Sequence, residues 1–329
     1  MARLVERFVY AATRPLQQRD RLSILLFHRV LDAPDPLRSG DPDIKRFASI
    51  LDMLASAFNV VALDQGLARL AQGTLPAGSV AITFDDGYRD NYVNAMPALA
   101  RRGMTATFFI ATAYADGGTM WNDKVVEAVK ACRKDRIDVQ QAGLGSIELG
   151  SEAAKAAAVD ALLGKLKYLP QAARDAAADR VVALCGVRLG AGPMMSVADL
   201  RAMRDAGMSL GAHTRTHPIL TRLDAAAARD EIAGSKQDLE AWLDRPVPLF
   251  AYPNGRRDTD YDAAHVAMAR DAGYAAAVTT DAGTARASGD SFRVPRMTPW
   301  DRSPEKFWAR LTYFRSRRMA APQPAHAEA

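Results

Sequence analysis

Short apolar runs recur along the chain, each followed by a stretch of helical periodicity. They include "RLSILLFHRV" (21–30), "SVAITF" (79–84), "TATFFIA" (105–111), "MSLGAH" (208–213), "VPLFAYP" (247–253) and "YAAAVTT" (274–280). Runs apolar on both faces cannot leave one side in water, so they need cover front and back, which alternating helices supply. With "FNVVAL" (58–63) and "FRVPRM" (292–297) added, the pattern predicts α/β architecture, an incomplete or distorted (β/α)7-type barrel. Chemistry on such a scaffold sits at the carboxyl ends of the strands.

The alternation breaks from about 125 to 190, where alanine-rich segments such as "SEAAKAAAVDALLGKLKYLP" show no strand. This stretch reads as a helical insertion within a domain spanning 21–300. Residues 1–20 read as an amphipathic helix with Leu4, Phe8, Ala11 and Ala12 on one face, and 301–329 as a basic helix and flexible tail.

Composition narrows the classes. With 49% hydrophobic and 25% charged residues among 329, the chain is neither disordered nor fibrous. A net charge of +5 is too modest to call for nucleic acid. Glu6 and Arg7 interrupt the apolar core a signal peptide would need, and no run approaches the roughly 20 apolar residues of a spanning helix. A cytoplasmic protein is expected, with membrane contact limited to the N-terminal apolar face lying on a surface. Cys132 and Cys185 are too few for a disulfide framework and read as reduced, buried thiols.

Two motifs carry the chemistry. "TFDDG" places Asp85 and Asp86 side by side at a strand's carboxyl end; read alone, it is equally an ordinary aspartate–glycine turn. "HTRTH" places His213 and His217 four apart, just past another strand, in a chain with five histidines. Imidazoles at that spacing can reach one metal ion, or can be turn residues with hydrogen bonds of their own. Strand ends of one barrel face are neighbours, so a carboxylate can join the imidazoles, and a cation would offset the repulsion between the adjacent aspartates. One aspartate would then bind metal and the other take a proton. The helical glutamate of the HExxH proteases is absent, because Thr214 follows His213. A third stretch, "FAYPNG" (250–255), makes a tight turn whose N–H groups could face an oxyanion; read alone, it is an ordinary strand-to-loop turn.

Together and in this order, the three stretches resemble the NodB-homology polysaccharide deacetylases, carbohydrate esterase family 4. The resemblance implies a distorted barrel, a divalent metal (most often Zn2+, with Co2+, Ni2+ or Fe2+ as alternatives) and hydrolysis of N-acetyl groups from sugars. Carried over residue by residue, it implies Asp86, His213 and His217 as metal ligands and Asp85 as general base. It also places the Asn254 N–H in an oxyanion hole, with Tyr252 beside it as an oxyanion or substrate contact.

The departures from that pattern direct attention elsewhere. Ala251 stands where the family's third motif carries an arginine paired with the base; Arg296 is the candidate replacement, a surface arginine the alternative. The family's late histidine acid is missing too. His265 falls in a helical pattern and His326 in a polar tail, which leaves His28, at the end of the first strand, as catalytic acid or as a satisfied core histidine. In "MWND" (120–123), Trp121 could stack on a sugar and Asp123 bond a hydroxyl, or the pair could cap the barrel and start a helix. The expected function is a metal-dependent carbohydrate N-deacetylase in exopolysaccharide or glycan biosynthesis, acting on an N-acetylated sugar or glycan intermediate that could be lipid- or nucleotide-linked. The rivals are a non-sugar amidohydrolase and an inactive glycan-binding module.

Overall fold

Alternation along the strands decides which side chains reach the interior. The structure, a computed structural model, describes residues 19–140, 145–299, 301 and 303–316. Its strands are β1 (Arg21–Phe27), β2 (Asn59–Val60), β3 (Ser79–Phe84), β4 (Thr107–Ile110), β5 (Arg136–Asp138), β6 (Ser146–Glu148), β7 (Ser209–Ala212), β8 (Leu249–Ala251), β9 (Ala276–Ala282), β10 (Ala285–Arg286) and β11 (Val294–Arg296). On β3, Ile82 and Phe84 pack with Phe47, Leu51 and Leu54 of the helix Ile44–Ala57, outside the sheet. Ala81 instead joins Ile24, Phe109, Val278 and Val294, drawn from other strands. The period of two then carries Thr83 and Asp85 to the same side as Ala81.

The parallel strands run in the order β1, β3, β4, β7, β8, β9, β11. Just past β11, Met297 returns to the first strand: Leu26 N donates to Met297 O (2.9 Å) and Met297 N to Ile24 O (2.8 Å). That single bridge nearly closes a barrel and brings the end of the chain's last strand against β1 and β3. The apolar runs are accordingly buried throughout; every residue of β1 and β3 is inside. β2 flanks the start of β3, and β10 pairs antiparallel with β1.

The segment between the two motifs is helical, with a correction. Helices Trp121–Ala131, Glu152–Leu166 and Gln171–Cys185 share a core of Val125, Val129, Leu162, Leu166, Val181 and Cys185. Between the first two lies an antiparallel pair, β5 with β6, where no strand was expected. Three-residue strands with one inward side chain each are too short to leave a periodic signal. The N-terminal helix expected over 1–20 lies almost wholly outside the described residues, as does the tail beyond 316; Pro304–Ser316 is helical. Among the described residues, no helix is long and apolar enough to cross a membrane.

Candidate active site

The ends of β3 and β7 meet at the floor of a cavity of ≈ 620 Å³. Asp85 follows β3 directly, and its N–H donates to Phe27 O (2.9 Å), tying the turn to β1. Asp86 and Gly87 both take positive φ, 77° and 95°, which turns the chain sharply enough to bring the two adjacent carboxylates into one site. A non-glycine residue held there is strained, and such strain persists only where its surroundings fix it.

Asp85 belongs to Arg296. The guanidinium donates to both carboxylate oxygens, at 2.7 and 2.6 Å, while also donating to Thr279 O (2.8 Å) and Thr83 Oγ1 (3.1 Å). Both side chains are buried. Burial alone would raise the Asp85 pKa, but Arg296 and, behind it, His213 bring it down to about 2.

Asp86 has no such partner. Its Oδ1 is buried without a hydrogen bond and lies 3.5 Å from the Nε2 atoms of both His213 and His217. The two rings are 4.8 Å apart, centroid to centroid. His213 sits with Nδ1 2.7 Å from Ala251 O, so Nδ1 carries the proton and Nε2 offers its lone pair to the site. Burial pushes His217 down to about 4, with Asp86 opposing and His213 and Arg174 adding, so its imidazole is neutral near pH 7. Donor atoms held at ~2.1 Å around a tetrahedral ion stand roughly 3.4 Å apart, close to what this trio provides. The donor set fits a divalent metal: one carboxylate oxygen and two imidazole nitrogens within 4.8 Å of one another.

The histidine loop is held from the helix Ala225–Leu243. Glu231 accepts from the N–H groups of Arg215 and Thr216, both at 2.8 Å, and Arg215 donates to Asp238 at 2.9 Å through each of two nitrogens. Gly234 makes room for this, since a Cβ there would strike the Arg215 guanidinium. The sequence reading did not name Glu231 or Asp238; acids seven apart on one helix face were the available signal.

Other expected residues fall in different places. His28 lines the cavity, and among the described residues its imidazole has no hydrogen-bond partner; its carbonyl accepts from Asn91 Nδ2 (2.9 Å). Asn254 also lines the cavity, at φ 59°, and its N–H meets no acceptor among the described residues. Trp121 is part of the wall, 5.2 Å from the Arg174 guanidinium carbon. Two expectations are corrected. Tyr252 is turned into the core: it stacks on Tyr261 at 4.0 Å, its hydroxyl donates to Phe292 O (3.1 Å) and its N–H to Val278 O (3.2 Å), leaving no donor for a substrate. Asp123 does bond a hydroxyl, but that of Tyr88 (3.0 Å), and it lies buried beside Arg29 and Arg38 away from the cavity. Asp41, Lys167 and Arg174 line the cavity and were not anticipated; their placement depends on packing between distant segments.

Over residues 72–152 and 176–277 the sequence matches the family described as polysaccharide deacetylase. The chain belongs to that family. Its members are hydrolases of carbon–nitrogen bonds other than peptide bonds. Among solved structures, a Streptococcus pyogenes deacetylase, PplD, in complex with acetate superposes with a TM-score of 0.59 at 18% identity, covering 89% of this chain and 98% of its own. IcaB from Ammonifex degensii gives 0.59 at 19% identity, with 91% and 99% covered. A de-N-acetylase from Aggregatibacter actinomycetemcomitans gives 0.54 at 14%, with 84% and 94% covered. At these identities the likeness is one of fold, and it agrees with the distorted barrel. No curated protein sequence matches the chain.

Proposed function

We propose that this polysaccharide deacetylase removes the N-acetyl group of an amino sugar with a divalent metal, zinc foremost, held by Asp86, His213 and His217. The observation that carries the reading is the unpartnered, buried Asp86 Oδ1 facing two imidazole nitrogens, one residue from a carboxylate locked by arginine. A divalent ion bound there supplies Lewis acidity toward the amide carbonyl and lowers the pKa of water.

The chain's own residues do the rest. Asp85 takes a proton from the attacking water. With its pKa lowered to about 2 by Arg296, it is ionised at neutral pH and able to accept that proton. Arg296 keeps both oxygens in one orientation. The Asn254 N–H donates to the carbonyl oxygen as negative charge builds on it. His28 gives its own proton to the departing nitrogen. Water's hydroxyl ends on acetate, and the proton taken by Asp85 passes to solvent, from which His28 is reprotonated, so the net products are acetate and the amine. Trp121 offers a ring face to the sugar.

Acetate bound to the S. pyogenes deacetylase supports acetate as the group released. The cavity volume accommodates a sugar, whose carrier in glycan assembly would be a nucleotide or a lipid on this reading. Two buried, unlinked thiols, Cys132 and Cys185, support a reducing, cytoplasmic setting, which cell fractionation would test. The reading itself is tested by acetate release from a panel of N-acetylated sugars set against cyclic amides. Turnover confined to the cyclic amides would make the protein a non-sugar amidohydrolase.

A further inference from the structure

One wall of the cavity comes from the helical segment between the motifs, and it is basic. Arg174, from helix Gln171–Cys185, is only 3% exposed yet lines the cavity. Among the described residues its Nη2 has no hydrogen-bond partner, and its one polar side-chain contact is a long 3.5 Å approach of Nε to Asp175 Oδ1. A buried guanidinium with an unmet donor is costly, and such groups are normally satisfied. Lys167, just past helix Glu152–Leu166, lines the same wall, and Arg256 faces it from the barrel side. Burial lowers the Lys167 pKa; Asp260 opposes this and Arg256 adds to it. Among the described residues, no carboxylate lies within ion-pair distance of Lys167 or Arg256.

Two of the three acids that line the cavity are engaged elsewhere. Asp85 is closed by Arg296, and Asp86 faces the two imidazoles. Asp41, the remaining one, has His28, Arg29, Arg38 and Asp90 as charged neighbours, none of them from the basic wall. Three cations, one with an unmet donor, line the cavity that holds Asp86, His213 and His217, and such a lining suits negative charge.

Resting on the deacetylase reading above, we propose that Arg174 and Lys167 form an anion subsite. The substrate is then an N-acetylated sugar carrying an acidic group, a phosphate ester or a carboxylate, near the amide that is cut. Arg174 supplies a directional donor and Lys167 a point charge, and the Trp121 ring lies 5.2 Å from the Arg174 guanidinium carbon.

The test compares kcat/KM for acetate release by the metal-loaded protein from N-acetylglucosamine, its 1-phosphate and N-acetylglucosaminuronic acid. The wild type should prefer one anionic sugar over the neutral one by about tenfold or more. That preference should collapse toward unity in both Arg174→Gln and Lys167→Met. Which anionic sugar is preferred tells phosphate from carboxylate. Equal rates on all three sugars would overturn the subsite while leaving the deacetylase reading intact. A preference surviving in both variants would also overturn it, since the metal alone would then hold the anion. Arg174→Lys, which keeps the charge and most of the packing, should retain part of the preference. If no sugar releases acetate, the deacetylase reading fails and thermal shift decides the subsite. N-acetylglucosamine 1-phosphate should raise the wild-type Tm and leave that of Lys167→Met unmoved; no wild-type shift with either anionic sugar would overturn the subsite.

Discussion

Arg296 and Asp85 stand 211 positions apart in sequence and meet through two charge-assisted hydrogen bonds of 2.7 and 2.6 Å at the barrel's centre. Both are buried, and Arg296 has no exposed side-chain surface. Near closure of the barrel through Met297 makes the meeting possible, because it sets the end of β11 against β1 and β3.

This pair can be taken apart. Arg296→Met leaves the Asp85 carboxylate buried without its cation, and breaking such a pair costs about 3–5 kcal/mol. A lowered Tm is expected together with lost acetate release. Asp85→Asn should bind metal normally and lose about 10²–10⁴-fold in kcat, the loss typical of a missing general base. Metal analysis of Asp85→Asn beside Asp86→Asn checks this; an empty site in the first and a filled one in the second would reverse the two roles.

His28→Ala separates an acid from a structural residue. With no side-chain hydrogen bond to lose among the described residues, its Tm and metal content should stay near wild type. Its kcat should fall. Lost stability with kcat preserved in the folded fraction would return His28 to the core.

How much of this was legible beforehand follows from distance in sequence. "TFDDG" and "HTRTH" each pack their chemistry into a few residues at a strand end, so local pattern located Asp85, Asp86, His213 and His217. The barrel followed from repeated apolar runs. Arg296 was legible only as a candidate, since its partner depends on how the last strand returns to the first. Arg174 and Lys167 left no signal, because alanine-rich helices do not reveal which face packs where. Tyr252 misled because it neighbours a turn that reaches the cavity while its own side chain serves the aromatic core with Tyr261 and Phe250.

The helix beneath the histidine loop should matter to the metal site without touching it. Glu231→Ala removes the acceptor for two backbone N–H groups between His213 and His217. Metal affinity should fall about 10–100-fold, as it does when a supporting partner of a ligand is lost. Competition with a chelator measures it; an unchanged affinity would mean that Asp238 and the Thr214 turn hold the loop alone.

Stability should carry the mark of Asp123. Burial raises its pKa to about 6, against the opposing pull of Arg29 and Arg38, from an ordinary value of 3.8. The folded state therefore binds this proton more tightly than the unfolded one. The resulting stabilisation is full below pH 3.8 and is lost as pH rises through about 6. It amounts to something on the order of 3 kcal/mol. Asp123→Asn should flatten the wild-type decline in unfolding free energy between those two values. An identical slope in both proteins would assign the titration to another group.

Stoichiometric metal titration of chelator-stripped protein, followed in parallel by acetate release from an N-acetylated sugar, bears most directly on the catalytic site. One equivalent of zinc or a similar divalent ion should bind, activity should return in proportion to occupancy, and Asp86→Ala should lose both. Full acetate release from the stripped wild type, or undiminished metal binding by Asp86→Ala and His213→Ala, would contradict the site described for this chain.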